Sequence, residues 1–502
     1  MIQAHTREGW AFLPRLNGRF AIALFDRDKR QLALAIDRMG IATMSWAIDG
    51  GCITFSTSSS RVAKRGGSIA VRHQAVFDYF FFHMIPAPSS AYAGVTKLVA
   101  GHVATFDATG YRTSKWWLPN FHRDGRPDVH SLISRTKREL ERAVASRCTG
   151  SSTGSFLSGG LDSSTVTGFL CKVAREPAHS FSIGFGVESF NELEYARISS
   201  RHFHSVSHEY EVTPDDIIAA VPLLGRAFDE PFGNSSAVPT YACARYARSL
   251  GMTRLLAGDG GDEIFGGNER YARQQVFEAF GVIPAPLRDL LRSLVLRTIS
   301  NTNPIAPLRK VRSYVDQASI PLPERYESWN YVYREGAAGM FTDEFMSSVD
   351  TAGPMRNMRE VYESTDAFDL LDKMLHYDWK FTLADNDLRK VVTACDVAGI
   401  EVEFPMLDSR VVDLSIEVPS NLKMRGLELR SFFKRAMKGF LPDEVLAKQK
   451  HGFGLPFGEW LKTHRALGDL VYGNLSDLKN RGIVTVAFLD RLVDVLNRET
   501  KT

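Results

Sequence analysis

The sequence predicts an α/β protein: a doubly wound parallel sheet, preceded by a smaller, mainly β layer. Three observations lead there. The first part of the chain carries short apolar runs separated by charged turns. From Gly154 onward, strand-like segments alternate with helical stretches, the pattern of a parallel sheet covered on both faces. Two of these segments run directly into glycine-rich acidic loops, at Ser158–Ser164 and Gly258–Glu263.

Taken in order, Arg19–Asp26 (RFAIALFD) and Gln31–Asp37 (QLALAID) read as strands joined by a charged turn, and Cys52–Ser56, Val95–Leu98 and His102–Phe106 continue the series. The tandem Trp116-Trp117 reads as packing at a domain junction. Pro119–Pro127, with Asp124-Gly125 and two prolines, reads as a linker. Asp128 can cap a helix whose apolar positions Val129, Leu132, Ile133, Leu140 and Val144 recur at helical spacing. Strands are then expected at Ser155–Leu157, Ser180–Phe185, His208–Val212 and Arg254–Ala257. Between Pro286 and Met374, segments such as Leu287–Ile299, with three arginines, suggest helices packed on the α/β core. A basic amphipathic helix can also lie on a membrane surface, but a solvated helix face is the stronger reading. The expected organisation is residues 1–118 for the β layer, 119–130 for the linker, 131–465 for the α/β domain and 466–502 for a helical tail.

Composition excludes some classes. The chain has 502 residues with 61 basic and 58 acidic side chains, a formal charge of +3, so nothing electrostatic calls for a nucleic-acid or membrane partner. Five scattered cysteines without a C-x-x-C pair suit a reducing cytoplasm better than a disulfide framework. Met1–Leu16 lacks the apolar core of a signal peptide, and Val76–Ile85 is too short to span a bilayer, so a cytoplasmic protein is expected. His202, His204 and His208 are close enough to suggest metal ligands, although packed or solvated histidines are the better reading.

The chemistry lies in the two loops. In SFLSGGLDSS (Ser155–Ser164) a strand enters a Gly-Gly turn and a helix opens. Gly159 and Gly160 lack the Cβ that would keep backbone N–H groups from phosphate oxygens, and a helix N-terminus favours anions. Ser158, Ser163 and Ser164 add hydroxyl donors, and Asp162 can hold Mg²⁺. The Walker lysine spacing is absent. In LLAGDGGDEIFGG (Leu255–Gly267) Asp262 offers a second carboxylate. Both loops would lie at the carboxyl ends of parallel strands, where ligands collect. A sharp, ligand-free Gly/Ser turn is the plain alternative for each.

Seven ordered segments resemble the glutamine-hydrolysing asparagine synthetases, with β-lactam synthetase as a relative. They are SGGLDSS at Ser158–Ser164, SFSIGF at Ser180–Phe185, DEPFGNSSAVPTY at Asp229–Tyr241, GDGGDE at Gly258–Glu263, GIEVEFPMLD at Gly399–Asp408, LKMRG at Leu422–Gly426 and KQKHGFGLPFGEWL at Lys448–Leu461. The resemblance implies an ATP-pyrophosphatase fold preceded by an Ntn-type glutaminase β layer. It implies a carbon–nitrogen ligase that uses ATP and Mg²⁺ to adenylate a carboxylate, then amidates it with ammonia. By the same resemblance, Asp162 and Asp262 would hold the metal. Leu157 and Ile183 would bracket adenine, with Gly258 near the ribose. Lys450 would stabilise charge as ATP is cleaved, Asp259 and Glu401 would serve the reacting acyl group, and Ser235 and Ser236 would meet the acid substrate. A homodimer is an open option.

The departures are also informative. Glu403 stands where the family has arginine, and Val392–Val397 replaces a D-R-x-S-M-A stretch. A cation-to-anion exchange beside the acid substrate would bring aspartate itself into question; aspartate or a related acid is the first expectation, with a sugar acid or peptide carboxylate as the alternative. LNGRFAIALFD (Leu16–Asp26) and AIDRMGI (Ala35–Ile41) match the second half of the glutaminase domain, but the nucleophilic cysteine and the Y-N-G-E segment would precede Met1, and no match to the glutamine-binding aspartate is evident. The expectation is ammonia-dependent synthesis, with glutamine as donor only if another source supplies the nucleophile. A non-catalytic nucleotide-binding remnant is the rival reading.

Overall fold

The computed structural model describes residues 1–65, 69–121, 128–187, 193–300, 304–449 and 454–499. Half of the expected linker, residues 122–127, lies outside them.

The N-terminal layer is two antiparallel sheets. One has the order β1 (Ala21–Asp26), β2 (Gln31–Ile36), β6 (His102–Asp107), β7 (Gly110–Lys115); the other runs β4 (Cys52–Ser56), β3 (Ser45–Asp49), β5 (Thr96–Lys97). Alternation places Leu34, Ile36, Trp46, Ala104 and Phe106 between them. Helix α1 (His73–Phe82) leads away toward the helical part of the molecule.

The second layer is a five-stranded, wholly parallel sheet in the order β10-β9-β8-β11-β12, formed by β8 (Thr153–Phe156), β9 (His179–Gly184), β10 (Val206–Glu211), β11 (Arg254–Leu256) and β12 (Glu401–Glu403). This is the expected doubly wound architecture. Between the strands run α2 (Val129–Ala145), α3 (Leu161–Val173), α4 (Leu193–Phe203) and α5 (Ala237–Ser249). Asp128 caps α2 as expected, accepting from the His130 and Ser131 N–H groups. The core around this sheet takes in Phe169, Phe181, Leu255, Leu256 and Val402, and extends to Met39 and Ile41 of the β layer.

A helical lobe inserts between β11 and β12. It contains α6 (Gly261–Phe265), α7 (Glu269–Gly281), α8 (Ala285–Thr298), α9 (Ala306–Ala318) and α10 (Leu370–Asp378), then a π-wound segment, Trp379–Asp387, and α11 (Leu388–Ala398). Helix α12 (Ser431–Met437) follows the sheet. One expectation fails here: α8 does not pack on the core, and none of its residues is buried.

Two acidic residues of the DEPF segment join the layers. Asp229 accepts from Ser58 Oγ (2.8 Å), the Ser59 N–H (2.9 Å) and Ser60 Oγ (2.8 Å). Glu230 accepts from the Ala91 N–H (2.9 Å) and Lys97 Nζ (2.6 Å). At the other side Arg389 donates to the carbonyls of Gly40 and Ile41 (2.6 and 2.7 Å). The tryptophan pair does sit at the junction: Trp116 donates to the Ile36 carbonyl (3.1 Å) and Trp117 stacks on Trp379. Among the described residues no helix is long and apolar enough to cross a membrane.

Candidate active site

A cleft of about 800 Å³ opens at the carboxyl ends of β8, β9 and β11. Backbone closeness explains its glycines. A Cβ on Gly258 would lie 2.7 Å from the Ser163 N–H nitrogen, so the second loop rests directly on the first. Gly159 has φ +71° and meets Tyr195 and Ala196 at the start of α4, so it shapes the turn from outside the cleft lining.

Within the first loop, Ser163 Oγ lies 3.0 Å from Ser158 Oγ and 3.2 Å from the Ser158 N–H nitrogen, with Gly160 beside them on the cleft wall. Ser164 is different. One helical step further round, it is buried and bonded to Ser199 Oγ at 2.8 Å, so its hydroxyl faces α4 and not the cleft. Leu157, Ile183, Phe156, Phe181 and Leu193 make the apolar end of the cleft.

At the polar end Asp162 and Asp262 converge on one cation that the sequence reading missed. Arg430 Nη1 donates to Asp162 Oδ2 (2.5 Å) and Asp262 Oδ1 (2.7 Å), and Nη2 donates to Asp162 Oδ1. The guanidinium is 4% exposed and lies over the Phe433 ring. Burial alone would lower its pKa, but Asp162 and then Asp262 raise it above the usual value. Two hard carboxylates around one buried positive charge also fit Mg²⁺, which takes one or two carboxylates and leaves its other positions to phosphate and water. The only sequence signal for Arg430 was its place four residues after LKMRG.

Asp259 also lines the cleft. Burial pushes its carboxyl up, partly offset by Lys390, whose Nζ lies 3.9 Å away. Lys390 itself bridges to Asp387 at 3.3 Å; burial would lower its pKa, yet Asp387 and Asp259 raise it. Ser236, at the start of α5, reaches the cleft, where its Oγ donates to Asn234 Oδ1 (2.6 Å). Lys434 and Lys448 complete the cationic wall.

Several expected residues are not brought there. Ser235 is exposed outside the lining. Glu401 begins β12 in register with Arg254, which donates to it at 2.7 and 3.0 Å. The parallel strands run from that edge toward the cleft, so Glu401 sits at the far end of the sheet. Glu403 corrects another expectation. It accepts from Arg147 Nε (3.2 Å), whose Nη1 holds Asp408 (2.8 Å), so the exchanged charge is neutralised away from the cleft. Lys450 lies outside the described residues. The histidines serve packing and hydrogen bonding: His208 pairs with His179 at 2.8 Å and His202 with the Phe440 carbonyl, and no metal-binding group of three occurs among the described residues.

A parallel sheet with paired glycine loops at its strand ends, joined to a two-sheet β layer, defines a nucleotide-dependent ligase of the ATP-pyrophosphatase kind. Residues 135–502 match the Asparagine synthase family and residues 1–117 match a Glutamine amidotransferase domain. The chain belongs to the asparagine synthase family, whose members amidate a carboxylate at the expense of ATP. It is similar to glutamine-hydrolyzing asparagine synthetase 1 of Bacillus subtilis, 24% identical over 454 residues, covering 89% of this chain and 69% of that protein. It is also similar to glutamine-hydrolyzing asparagine synthetase 3 of the same organism, 24% identical over 496 residues, covering 92% and 73%.

Proposed function

We propose that this protein converts a small carboxylic acid, aspartate or a close relative, into its amide. The carboxylate oxygen attacks the α-phosphorus of ATP and pyrophosphate leaves. Ammonia then attacks the acyl carbon, AMP departs, and the surplus proton passes to a base. The observation that carries this reading is the convergence of Asp162 and Asp262 on Arg430 between two glycine loops.

The apolar end of the cleft, with Leu157 and Ile183, suits an adenine ring, and Gly258, also on the lining, would lie beside the ribose. Ser158, Gly160, Ser163 and the N-terminus of α3 suit the phosphates. Asp162 and Asp262 would hold Mg²⁺, which when bound neutralises charge on the triphosphate. Arg430 is placed to exchange its carboxylates for phosphate oxygens when nucleotide enters. Ser236 and Lys390 mark the acid-substrate side. Asp259, its carboxyl raised by burial, suits a group that accepts a proton from the attacking amine. The direct test is pyrophosphate release that depends on both an added acid and ammonium. ATP binding without release on aspartate or a panel of small acids would leave only a nucleotide-binding remnant.

Lys450 is assigned the charge that develops as the α–β bond breaks. Lys450→Ala should lower turnover on the order of a hundredfold with little change in ATP affinity, because such a contact strengthens only in the transition state. Steady-state rates and equilibrium nucleotide binding check this; weaker binding with unchanged turnover would make it a ground-state contact.

Ammonia is the assigned nitrogen donor. Burial pushes the Cys171 thiol up to about 11 and Cys243 to about 12, and Cys395 rises as well, so none of these three, all in the synthase part, is an activated thiolate; Cys52, in the amidotransferase-matched part, is exposed at the start of β4 and outside the cleft lining. Amide formation should proceed with ammonium and not with glutamine at equal concentration. Glutamate release in step with synthesis would refute this.

A further inference from the structure

Helices α8 and α9 form a hairpin whose apolar side faces outward. Helix α9 fastens it to the lobe: the Tyr314 ring lies tilted against Phe277 of α7, and its hydroxyl donates to the Val276 carbonyl (3.0 Å). Arg312 closes the hairpin by donating to the Leu296 and Ile299 carbonyls at the end of α8. Helix α8 lies outside α9. Leu287, Leu290 and Leu294 recur at i, i+3 and i+7 and are 50%, 63% and 57% exposed. Arg297 continues the same line one turn on. On the neighbouring helix Val311 and, at its start, Ile305 are also exposed, as is Val282 just before α8. Three exposed leucines in one line on α8, with further exposed apolar residues on the same hairpin, are more than an isolated surface apolar residue.

Charge says what covers it. Residues 282–318 hold six basic side chains (Arg288, Arg292, Arg297, Arg309, Lys310, Arg312) against two aspartates, a local excess of four in a chain whose total is +3. The hairpin is therefore far more basic than the chain as a whole. We infer that the hairpin docks on an anionic lipid surface, the leucine ridge entering the headgroup boundary while Arg297, on the same line of α8, and Arg309 and Lys310 of α9 reach lipid phosphates. Arginine and lysine stems can lie along apolar surface with their heads in the polar layer. A second copy of the chain fits less well, because a two-fold contact would bring two net-basic hairpins face to face, which like-charge repulsion opposes. The docking needs no spanning helix, and it is independent of the amidation assigned above.

The test uses the full chain and vesicles of phosphatidylcholine, with or without phosphatidylserine, in a sedimentation assay. Binding should require phosphatidylserine and weaken with salt. Replacing Leu287, Leu290 and Leu294 together with serine should lower binding on the order of tenfold or more. Replacing Arg297, Arg309 and Lys310 together with glutamine should do the same, and neither variant should change pyrophosphate release in solution. If the leucine variant misfolds, the charge variant decides. No vesicle binding by the parent chain, or binding indifferent to both variants, overturns the proposal. So does a dimer, seen by light scattering, that the leucine variant separates while lipid binding is absent.

Discussion

Asp162→Asn and Asp262→Asn should each lower acid-dependent pyrophosphate release on the order of a hundredfold or more, at saturating Mg²⁺ and with little loss of stability. Each substitution removes one of two carboxylates that share Arg430, so the buried guanidinium keeps a partner and the fold is spared the cost of an isolated charge. The metal assigned to the pair has no such reserve, because groups acting as a unit fail together. Turnover and denaturant midpoints measured on the same samples separate the two effects. A variant with near-normal turnover would remove that residue from the metal site. A variant that unfolds would make the pair a structural clamp.

The largest effect on stability is expected in the helical lobe. Asp378 is fully buried; Arg270 pairs with it at 2.6 Å, and Tyr271 donates to it. Burial raises the Asp378 carboxyl, and Arg270 opposes that rise. Arg270→Met would leave an anion facing apolar surroundings, at a cost of about 3–5 kcal/mol near neutral pH. The sign of the pH dependence follows. A carboxyl whose folded pKa is raised adds stability below its unfolded pKa and loses it as pH climbs through the folded value. Without Arg270 the rise is larger, so the deficit against the parent should shrink as pH falls. Urea unfolding at several pH values reads this directly, and adding Asp378→Asn should recover much of the loss. A deficit that is flat with pH would trace the damage to lost packing around Arg270.

Some of this was legible in the sequence because local rules govern it. Asp128 caps its helix by a side chain reaching two and three residues ahead. The parallel strands appeared as short apolar runs, and the glycine loops declared themselves because a Cβ would not fit at Gly258. What stayed hidden depends on distant partners or on orientation. Arg430 has a left-handed backbone (φ +58°), and its partners lie 168 and 268 residues away. Ser163 and Ser164 look equivalent in sequence, yet one helical step sends the second into the core. Glu401 was assigned by motif, and only the direction of β12 shows that it starts the strand at the edge remote from the loops. The arginines of α8 were visible, but not that its leucines would face outward.

The fastening of Asp229 and Glu230 to Ser58–Ser60, Ala91 and Lys97 bears on how such proteins can be recombined. The segment that delivers Ser236 begins a few residues after that fastening, and Gly233 is itself held by the His83 carbonyl at 2.8 Å. A β layer borrowed from a cousin would arrive with its own serine turn and its own lysine, set for a differently placed acid pair. Chimeras cut between the layers should therefore assemble only when residues 58–60, 83, 91 and 97 travel with residues 229–233. The exchangeable unit is the seam between the layers, shared by both and owned by neither.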